Sequence, residues 1–173
     1  MASGSLRIGE YEEGDIDQIL AIERDSFPTP WSANIFRNEI ISSISRLLVA
    51  RYGTERGGGS VVGYLVYWQV ADEIHLHNIA VRKDMQRQGI ASRLLDEAIG
   101  NSRPKGARWL TLEVRLSNRS AQRFYEKFGF FVRGIRPNYY TDTGEDALIM
   151  WADLSAAPLG KSVPEGRGEG GNA

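Results

Sequence analysis

The 173-residue chain contains no cysteine. Disulfides, thiolate nucleophiles and cysteine-based zinc sites are therefore excluded. Histidine is nearly absent too. The chain has 2, His75 and His77, spaced two apart in "EIHLHNIAV". Two such imidazoles can converge on a metal, but no third ligand is evident, so no metal is expected and a substrate-side or solvated strand face is the preferred reading. No apolar run approaches the roughly 20 residues of a membrane span. The first residues, "MASGSLRIGEYEEGD", lack the apolar core of a signal peptide, so a soluble cytoplasmic protein without membrane partners is expected. The formal net charge is −1, which gives no global basic field for nucleic acid. From Ser155 the chain reads "SAAPLGKSVPEGRGEGGNA", with almost no large apolar side chain. Such a composition cannot bury enough surface to offset its ordering entropy. Residues 155–173 are expected to form a disordered low-complexity tail, and residues 1–154 a single domain able to bury a core.

Within that domain the apolar periodicity predicts a strand over residues 6–11 and a helix over 14–27. Ile16, Ile19, Leu20, Glu23 and Phe27 share its inner spacing. Pro28 and Pro30 break it. Ser32 can cap a second helix to about Ile41, with Phe36 and Ile40 inward. "RLLVARY", "VVGYLVYWQV" and "EIHLHNIAV" read as strands, the second apolar enough to be central. "GTERGGGS" reads as a hairpin tip. "GIASRLLDEAIGNS" is a helix with Ile90, Ala91, Leu94, Leu95, Ala98 and Ile99 in one stripe. "ARWLTLEVR" is a strand, and "SNRSAQRFYEKFG" a helix ended by Gly129. Two closing strands, "FFVRGIR" and "EDALIMWADL", flank the polar turn "PNYYTDTG". The order βααβββαβαββ predicts an α/β (α+β) fold: a mixed, mostly antiparallel central sheet with helices on both faces.

"QRQGIA", residues 86–91, lies where a strand gives way to a helix. Arg82, Lys83, Arg87 and Arg93 surround it against Asp84. A helix N-terminus offers unpaired N–H groups and the positive end of the dipole, and Gly89 removes a side chain where a ligand would approach. The Gly-Lys-Ser/Thr ending of a phosphate loop and the second glycine of a dinucleotide fingerprint are both missing. On these residues alone, an anion seat and an ordinary glycine corner both remain open.

"QRQGIA" matches the Q/R-x-x-G-x-G/A signature of the GNAT superfamily of N-acetyltransferases. "NIAV" before it, "LEVR-x-SN-x-x-A-x-x-x-Y-x-x-x-GF" after it and "NYY-x-x-x-G-EDALIM" near the end fall in the family's order. Together they resemble the ribosomal-protein alanine N-acetyltransferases of RimI type over residues 6–153. The resemblance implies a GNAT fold and acetyl-coenzyme A as co-substrate. It implies that the backbone of Ile79, Ala80 and Val81 holds the acetyl and pantetheine end. Arg87, Gln88, Gly89, Ile90, Ala91 and Ser92 would wrap the pyrophosphate, and Asn118 would contact the pantetheine. Glu113 resembles the proton acceptor, acting through water, and Tyr125 the proton donor. Phe27, Pro28, Tyr139 and Tyr140 would line the peptide substrate, on two facing loops. Gln86 departs from the arginine of many relatives, leaving phosphate-side charge to Arg87 and Lys83. The implied partner is a ribosomal protein's N-terminus, with no direct nucleic-acid contact.

The residues carry other readings beside these. Glu113 can be a solvated strand-end carboxylate paired with Arg115. Tyr125 lies on the apolar face of its helix and can be core. Phe27 and Tyr139 can be packing. The alternation in "EIHLHNIAV" places His75 and His77 on the parity that Ile79 and Val81 then occupy, which predicts a bulge near Asn78 and unpaired ladder groups beside it. For the chemistry, an α-amino group of pKa near 7.8 costs under ~1 kcal/mol to neutralise at pH 7.4, and a lysine near 10.4 about 4 kcal/mol. A carboxylate relaying through water suits the first better. Without cysteine, direct attack of the amine on the thioester is the natural route. Acetylation of small amines or lysine, or a non-catalytic acyl-coenzyme A binding module, are the rival functions. The pairing of Glu113 with Tyr125 argues against the module.

Overall fold

A computed structural model describes residues 4–53 and 59–155. The expected tail beyond Ser155 and most of the expected hairpin tip, residues 54–58, lie outside the described residues. Seven strands form one sheet: β1 (Ser5–Glu10), β2 (Ser45–Gly53), β3 (Ser60–Val70), β4 (Glu73–Val81), β5 (Trp109–Arg115), β6 (Phe131–Tyr140) and β7 (Glu145–Asp153). Their spatial order is β1-β2-β3-β4-β5-β7-β6. Every pair is antiparallel except β4 with β5. Four helices complete the domain: α1 (Ile16–Ser26), α2 (Ala33–Ile41), α3 (Ile90–Ser102) and α4 (Arg119–Lys127). This is the expected order. The parallel pair follows from its connection, since α3 carries the chain back across the sheet between β4 and β5.

The helices divide between the two faces. Leu94, Leu95, Ala98 and Ile99 of α3 and Tyr125 of α4 bury with Leu48, Leu65, Leu76, Leu110, Leu112 and Met150. On the other face Ile19 and Ile22 of α1 and Phe36 of α2 bury with Leu47, Val49, Val61, Tyr64 and Val66. β3 feeds both clusters, which is why its apolar run is nearly continuous. Each fully buried side chain such as Ile19 or Phe36 contributes about 1.5–3 kcal/mol of burial. Helix ends follow from local chemistry. Ser32 Oγ accepts from the Ile35 N–H to start α2. Gly129, at φ 102°, stops α4. The Gly129 N–H reaches the Glu126 carbonyl and the Phe130 N–H reaches that of Tyr125, the paired bonds of a Schellman stop.

Three expectations are corrected. Ile40 does not face inward: it is 36% exposed, and Phe36 alone fills the α2 contact. Its neighbour Glu39 takes the sheet-facing place, accepting from Trp68 Nε1 at 2.7 Å and Ser45 Oγ at 2.6 Å. The 14–27 helix opens instead with a 3-10 turn over Glu13–Asp15, and the α-helix proper begins at Ile16. "PNYY" is not a turn, because β6 continues through it to Tyr140. Pro137 is tolerated because β6 is an edge strand. The ladder shifts register between Arg136 and Tyr140, where Asn138 takes φ 50° and its N–H bonds Asp146 Oδ1 at 2.9 Å. The turn is left with residues 141–144, closed by Gly144 N–H on the Tyr140 carbonyl at 2.7 Å.

Candidate active site

The bulge expected in β4 is present. Val66 of β3 pairs with Asn78 and the next residue, Tyr67, with Leu76, so His77 is the extra residue. Before the bulge, Ile74 and Leu76 join the cluster under α3; after it, Ile79 and Val81 pack against that cluster while Ala80 joins the one under α1. The alternation is thereby restored. The parallel ladder with β5 ends at Leu76 and Leu112. Beyond that rung β4 stays paired with β3 on one side only, so Ile79, Ala80 and Val81 present their other edge to the opening between β4 and β5.

Asn78 is buried and its side chain has turned to α1. Asn78 Nδ2 donates to Glu23 Oε2 at 3.0 Å, the Tyr64 hydroxyl donates to the same oxygen, and the Trp31 N–H donates to Oε1 at 2.7 Å. Glu23, 1% exposed, thus ties the "SFPTPW" segment to the bulge. Burial and the adjacent Glu23 push the Tyr64 hydroxyl far above its usual range.

At the far end of β4 the chain turns through residues 82–89 into α3. Gly89 takes φ 78° and Arg87 φ 61°. α2 and α4 are capped by Ser32 and Asn118, whereas the N-cap of α3 receives no side-chain bond among the described residues. Gly63 of β3 seats this turn: a Cβ there would lie 3.0 Å from the Ala80 carbonyl and 3.4 Å from Ile90. Gln86 and Gln88 donate back to the Val81 and Asp84 carbonyls. Arg82 is committed to Asp84, and Arg93 to the Leu6 carbonyl. Lys83 and Arg87 are exposed and make no ion pair among the described residues. Their charge and the first-turn N–H groups of α3 form a seat suited to a phosphate. Asn118 Oδ1 caps α4 by accepting from the Ala121 N–H at 3.1 Å, so only its Nδ2 remains for a ligand.

Glu113, on β5, does not pair with Arg115. His75 Nε2 lies 2.6 Å from Glu113 Oε2, and Arg136 Nη1 lies 3.5 Å from Oε1. Burial raises the pKa of this carboxyl, but the hydrogen bond and charge of His75, with Arg136, outweigh it and hold the group below its usual range. His77 stacks between His75 and Trp68, with ring centroids 4.4 and 4.1 Å away. Desolvation, with the adjacent His75, lowers its pKa to about 4. Arg115 instead bonds Asp142 at 2.7 Å, approaches Glu145 at 3.5 Å and lies 3.9 Å over the Tyr140 ring.

Tyr125, on α4, is buried, 6% exposed. The ring packs on Phe124 and Phe130 at 5.2 and 5.3 Å. Its hydroxyl makes no hydrogen bond to the described residues and is not among their buried unsatisfied atoms. Burial, with Tyr140 nearby, raises its pKa. Tyr139 and Tyr140 meet edge-on at 5.1 Å, at the end of β6 rather than on a loop. Phe27 is half-buried and packs against the α1–α2 cluster, while Pro28 is exposed. Thr29 Oγ1 donates to Asp142 Oδ2 at 2.8 Å, so the two segments expected to face each other are bridged across 113 residues of sequence. The sequence reading missed this bridge, the Glu23 hub and the His75–Glu113 pair. The signals were a glutamate on an apolar helix stripe, and two polar side chains of matching parity on strands that α3 makes neighbours.

The sequence profile of the acetyltransferase (GNAT) family matches residues 16–130. The chain belongs to that family. A Bacillus subtilis (strain 168) protein, provisionally named a ribosomal protein bS18-alanine N-acetyltransferase, is 40% identical over 141 residues, 82% of this chain and 91% of that protein. The Escherichia coli (strain K12) ribosomal protein bS18-alanine N-acetyltransferase is 35% identical over 150 residues, 86% of this chain and 97% of that one. The crystal structure of the E. coli ribosomal-protein-S18-alanine N-acetyltransferase superposes with a TM-score of 0.76, covering 88% of this chain and 96% of the other. The fold, though at 17% identity only the fold, is also that of Arabidopsis thaliana NAA60 crystallised with acetyl-CoA, with a TM-score of 0.78 over 88% of this chain and all of that one.

Proposed function

We propose that this acetyltransferase moves the acetyl group of acetyl-coenzyme A to the N-terminal alanine of small-subunit ribosomal protein bS18, in the cytoplasm. The observation that carries the reading is the opening between β4 and β5 beyond Leu76. It has a phosphate seat at one end and proton-handling groups at the other. From His75 to Val81 is six residues of strand, roughly 15–20 Å once the bulge is allowed for. That length suits a long thin arm anchored by its pyrophosphate.

In this reading the α3 N-terminus, with Arg87, Gln88, Gly89, Ile90, Ala91 and Ser92, takes the pyrophosphate. The open edge of Ile79, Ala80 and Val81 pairs with the pantetheine amides, and Asn118 Nδ2 adds a donor nearby. Phe27, Pro28, Tyr139 and Tyr140 line the peptide. The amine attacks the thioester carbonyl, the C–S bond breaks, and the Tyr125 hydroxyl protonates the departing thiolate. Glu113 anchors the proton-accepting side. A peptide α-amino group is the preferred acceptor over lysine because it needs about 3–4 kcal/mol less to become neutral. The 35–40% identity with bS18-alanine N-acetyltransferases supports the choice of target. Residues 1–154 make a single catalytic domain in this reading, with the tail of residues 155–173 dispensable.

Mass spectrometry of a peptide panel with acetyl-coenzyme A tests this. Peptides beginning with the bS18 N-terminus are expected to gain one acetyl group on the α-nitrogen. Acetylation confined to lysine in N-blocked peptides would overturn the substrate assignment.

A further inference from the structure

We propose that His75 is the group that takes the proton from the attacking amine, and that Glu113 holds and charges it for that task as a positioning residue. The inference rests on the function proposed above, and puts an imidazole where the sequence reading placed a water.

A hydrogen bond 2.6 Å long joins His75 and Glu113. Glu113 is almost wholly enclosed, its side chain 7% exposed, whereas that of His75 is 31% exposed. Of the two, the histidine is the one an incoming amine can reach. A carboxyl held below its usual range is ionised near neutrality and can only accept. The shared proton therefore belongs to His75 Nε2, and the lone pair of the neutral ring sits on Nδ1. No hydrogen bond to Nδ1 is made by the described residues. A proton acceptor with a free lone pair thus lies on the sheet face where Arg136, Tyr139 and the Thr29–Asp142 bridge frame the peptide site.

Charge supports the assignment. His75 touches Glu113 on β5 and His77 on its own strand; Arg136 and Tyr139 of β6 act on Glu113, and Glu39 of α2 acts on His77. Glu113 is the anion in direct contact and stabilises the imidazolium formed by proton uptake. His77 stays neutral near pH 7, so it adds no opposing charge. A carboxylate with a lowered pKa is a poor acceptor for an ammonium proton, whereas imidazole chemistry operates near neutrality. The step balances: the neutral amine's lone pair forms the C–N bond, the N–H bond of the resulting ammonium centre breaks and its proton passes to Nδ1, the electron pair stays on nitrogen as the C–S bond breaks, and Tyr125 regains from water the proton it gives the thiolate. The imidazolium then releases the proton to water.

The test is a pH profile of kcat/KM from pH 5 to 9 for the full chain, His75→Gln and Glu113→Gln, using acetyl-coenzyme A and an alanine-starting peptide. Thiol release gives a clean readout because the chain has no cysteine. In the wild type the acid limb is expected to fall with a slope of two, one proton from the amine and one from the imidazole. His75→Gln is expected to fall with a slope of one, with kcat down on the order of 10²-fold and KM for acetyl-coenzyme A unchanged. Glu113→Gln is expected to keep the slope of two with kcat lowered, because the ring loses its charged positioning partner. A slope of two or a wild-type rate in His75→Gln would overturn the proposal. Should that variant fail to fold, ¹⁵N-detected imidazole spectra of the wild type decide. His75 is assigned against His77→Phe and is expected as the Nε2–H tautomer; an Nδ1–H tautomer would refute the assignment. A wild type that acetylates no α-amino group would sink the underlying function instead.

Discussion

Replacing Glu23 by glutamine isolates a buried polar hub. The side chain keeps its shape, so no cavity opens and only the hydrogen bonding changes. Both glutamate oxygens act as acceptors, from the Trp31 N–H, the Tyr64 hydroxyl and Asn78 Nδ2. A glutamine amide has one oxygen. If it faces Tyr64 and Asn78, its NH₂ meets the Trp31 N–H, and a half-buried donor is left without an acceptor. If it is flipped, two donors are. An unsatisfied buried donor costs about 1–3 kcal/mol. The bonds that survive change from charge-assisted to neutral, losing about 1 kcal/mol each. The expected loss is about 3–5 kcal/mol, which lowers Tm by roughly 6–20 °C for a chain of this size. Calorimetry measures it, and the intrinsic fluorescence of Trp31 reports whether the "SFPTPW" segment loosens first. Because Glu23 links that segment to Asn78, KM should rise for both peptide and acetyl-coenzyme A. A glutamine variant melting within about 2 °C of the wild type would refute the reasoning, and would mean that Trp31 and Asn78 find other partners.

Tyr125→Phe removes a hydroxyl that bonds to none of the described residues, so Tm should move by less than ~2 °C. kcat should fall on the order of 10²-fold with binding of acetyl-coenzyme A unchanged by calorimetric titration; unchanged turnover would remove the proton-donor role. Gly89→Val places a β-branched residue at φ 78°, a strain of about 1–2 kcal/mol. Its Cβ meets nothing within 4 Å, so a rise in KM for acetyl-coenzyme A with KM for peptide unchanged would locate the phosphate at that turn. His77 has its pKa lowered to about 4 in the folded chain. The unfolded chain therefore binds more protons between about pH 6.5 and 4, and the contribution of His77 to stability is complete above 6.5 and lost as pH falls toward 4. Urea unfolding at pH 7 and pH 5 should show a smaller loss for His77→Phe than for the wild type, and an equal loss would show that His77 is not the group responsible.

Much of this was legible because one periodicity governs each element. The stripe of α3 and the double-sided run of β3 could be read from residue spacing. So could the bulge in β4, since the polarity of "EIHLHNIAV" changes face at one residue and only an inserted residue reconciles that with a strand. β6 was misread at its end because Pro137 and Asn138 carry the signal of a turn. Their tolerance depends on β6 being an edge strand, a property of the whole sheet that no local window contains. The His75–Glu113 pair was illegible for a related reason. Its two residues lie 38 apart and meet only because β4 and β5 run parallel in the register that sets His75 against Thr111.

In the reaction proposed above, that same pairing lets one sheet separate the two proton transfers. Thr111, Glu113 and Arg115 alternate with Leu110, Leu112 and Val114, which join the cluster under α3 and α4. His75 and Glu113 therefore lie on the α1–α2 face. Tyr125 comes from α4, on the opposite face. An acceptor and a donor on opposite faces of a closed sheet could not serve one reaction. In the proposed reaction both reach the thioester through the opening left where the β4–β5 ladder ends at Leu76 and Leu112. The bulge at His77 performs the matching task in β4. It leaves His75 on the face of the amine and turns Ile79 and Val81 against the α3 cluster, so their free backbone edge lines the opening. Because Leu76 and Asn78 already take adjacent partners on β3, Tyr67 and Val66, deleting His77 should keep every other side chain of β4 on its face and remove only the bulge, so lost binding of acetyl-coenzyme A in that variant would assign the opening to the bulge itself.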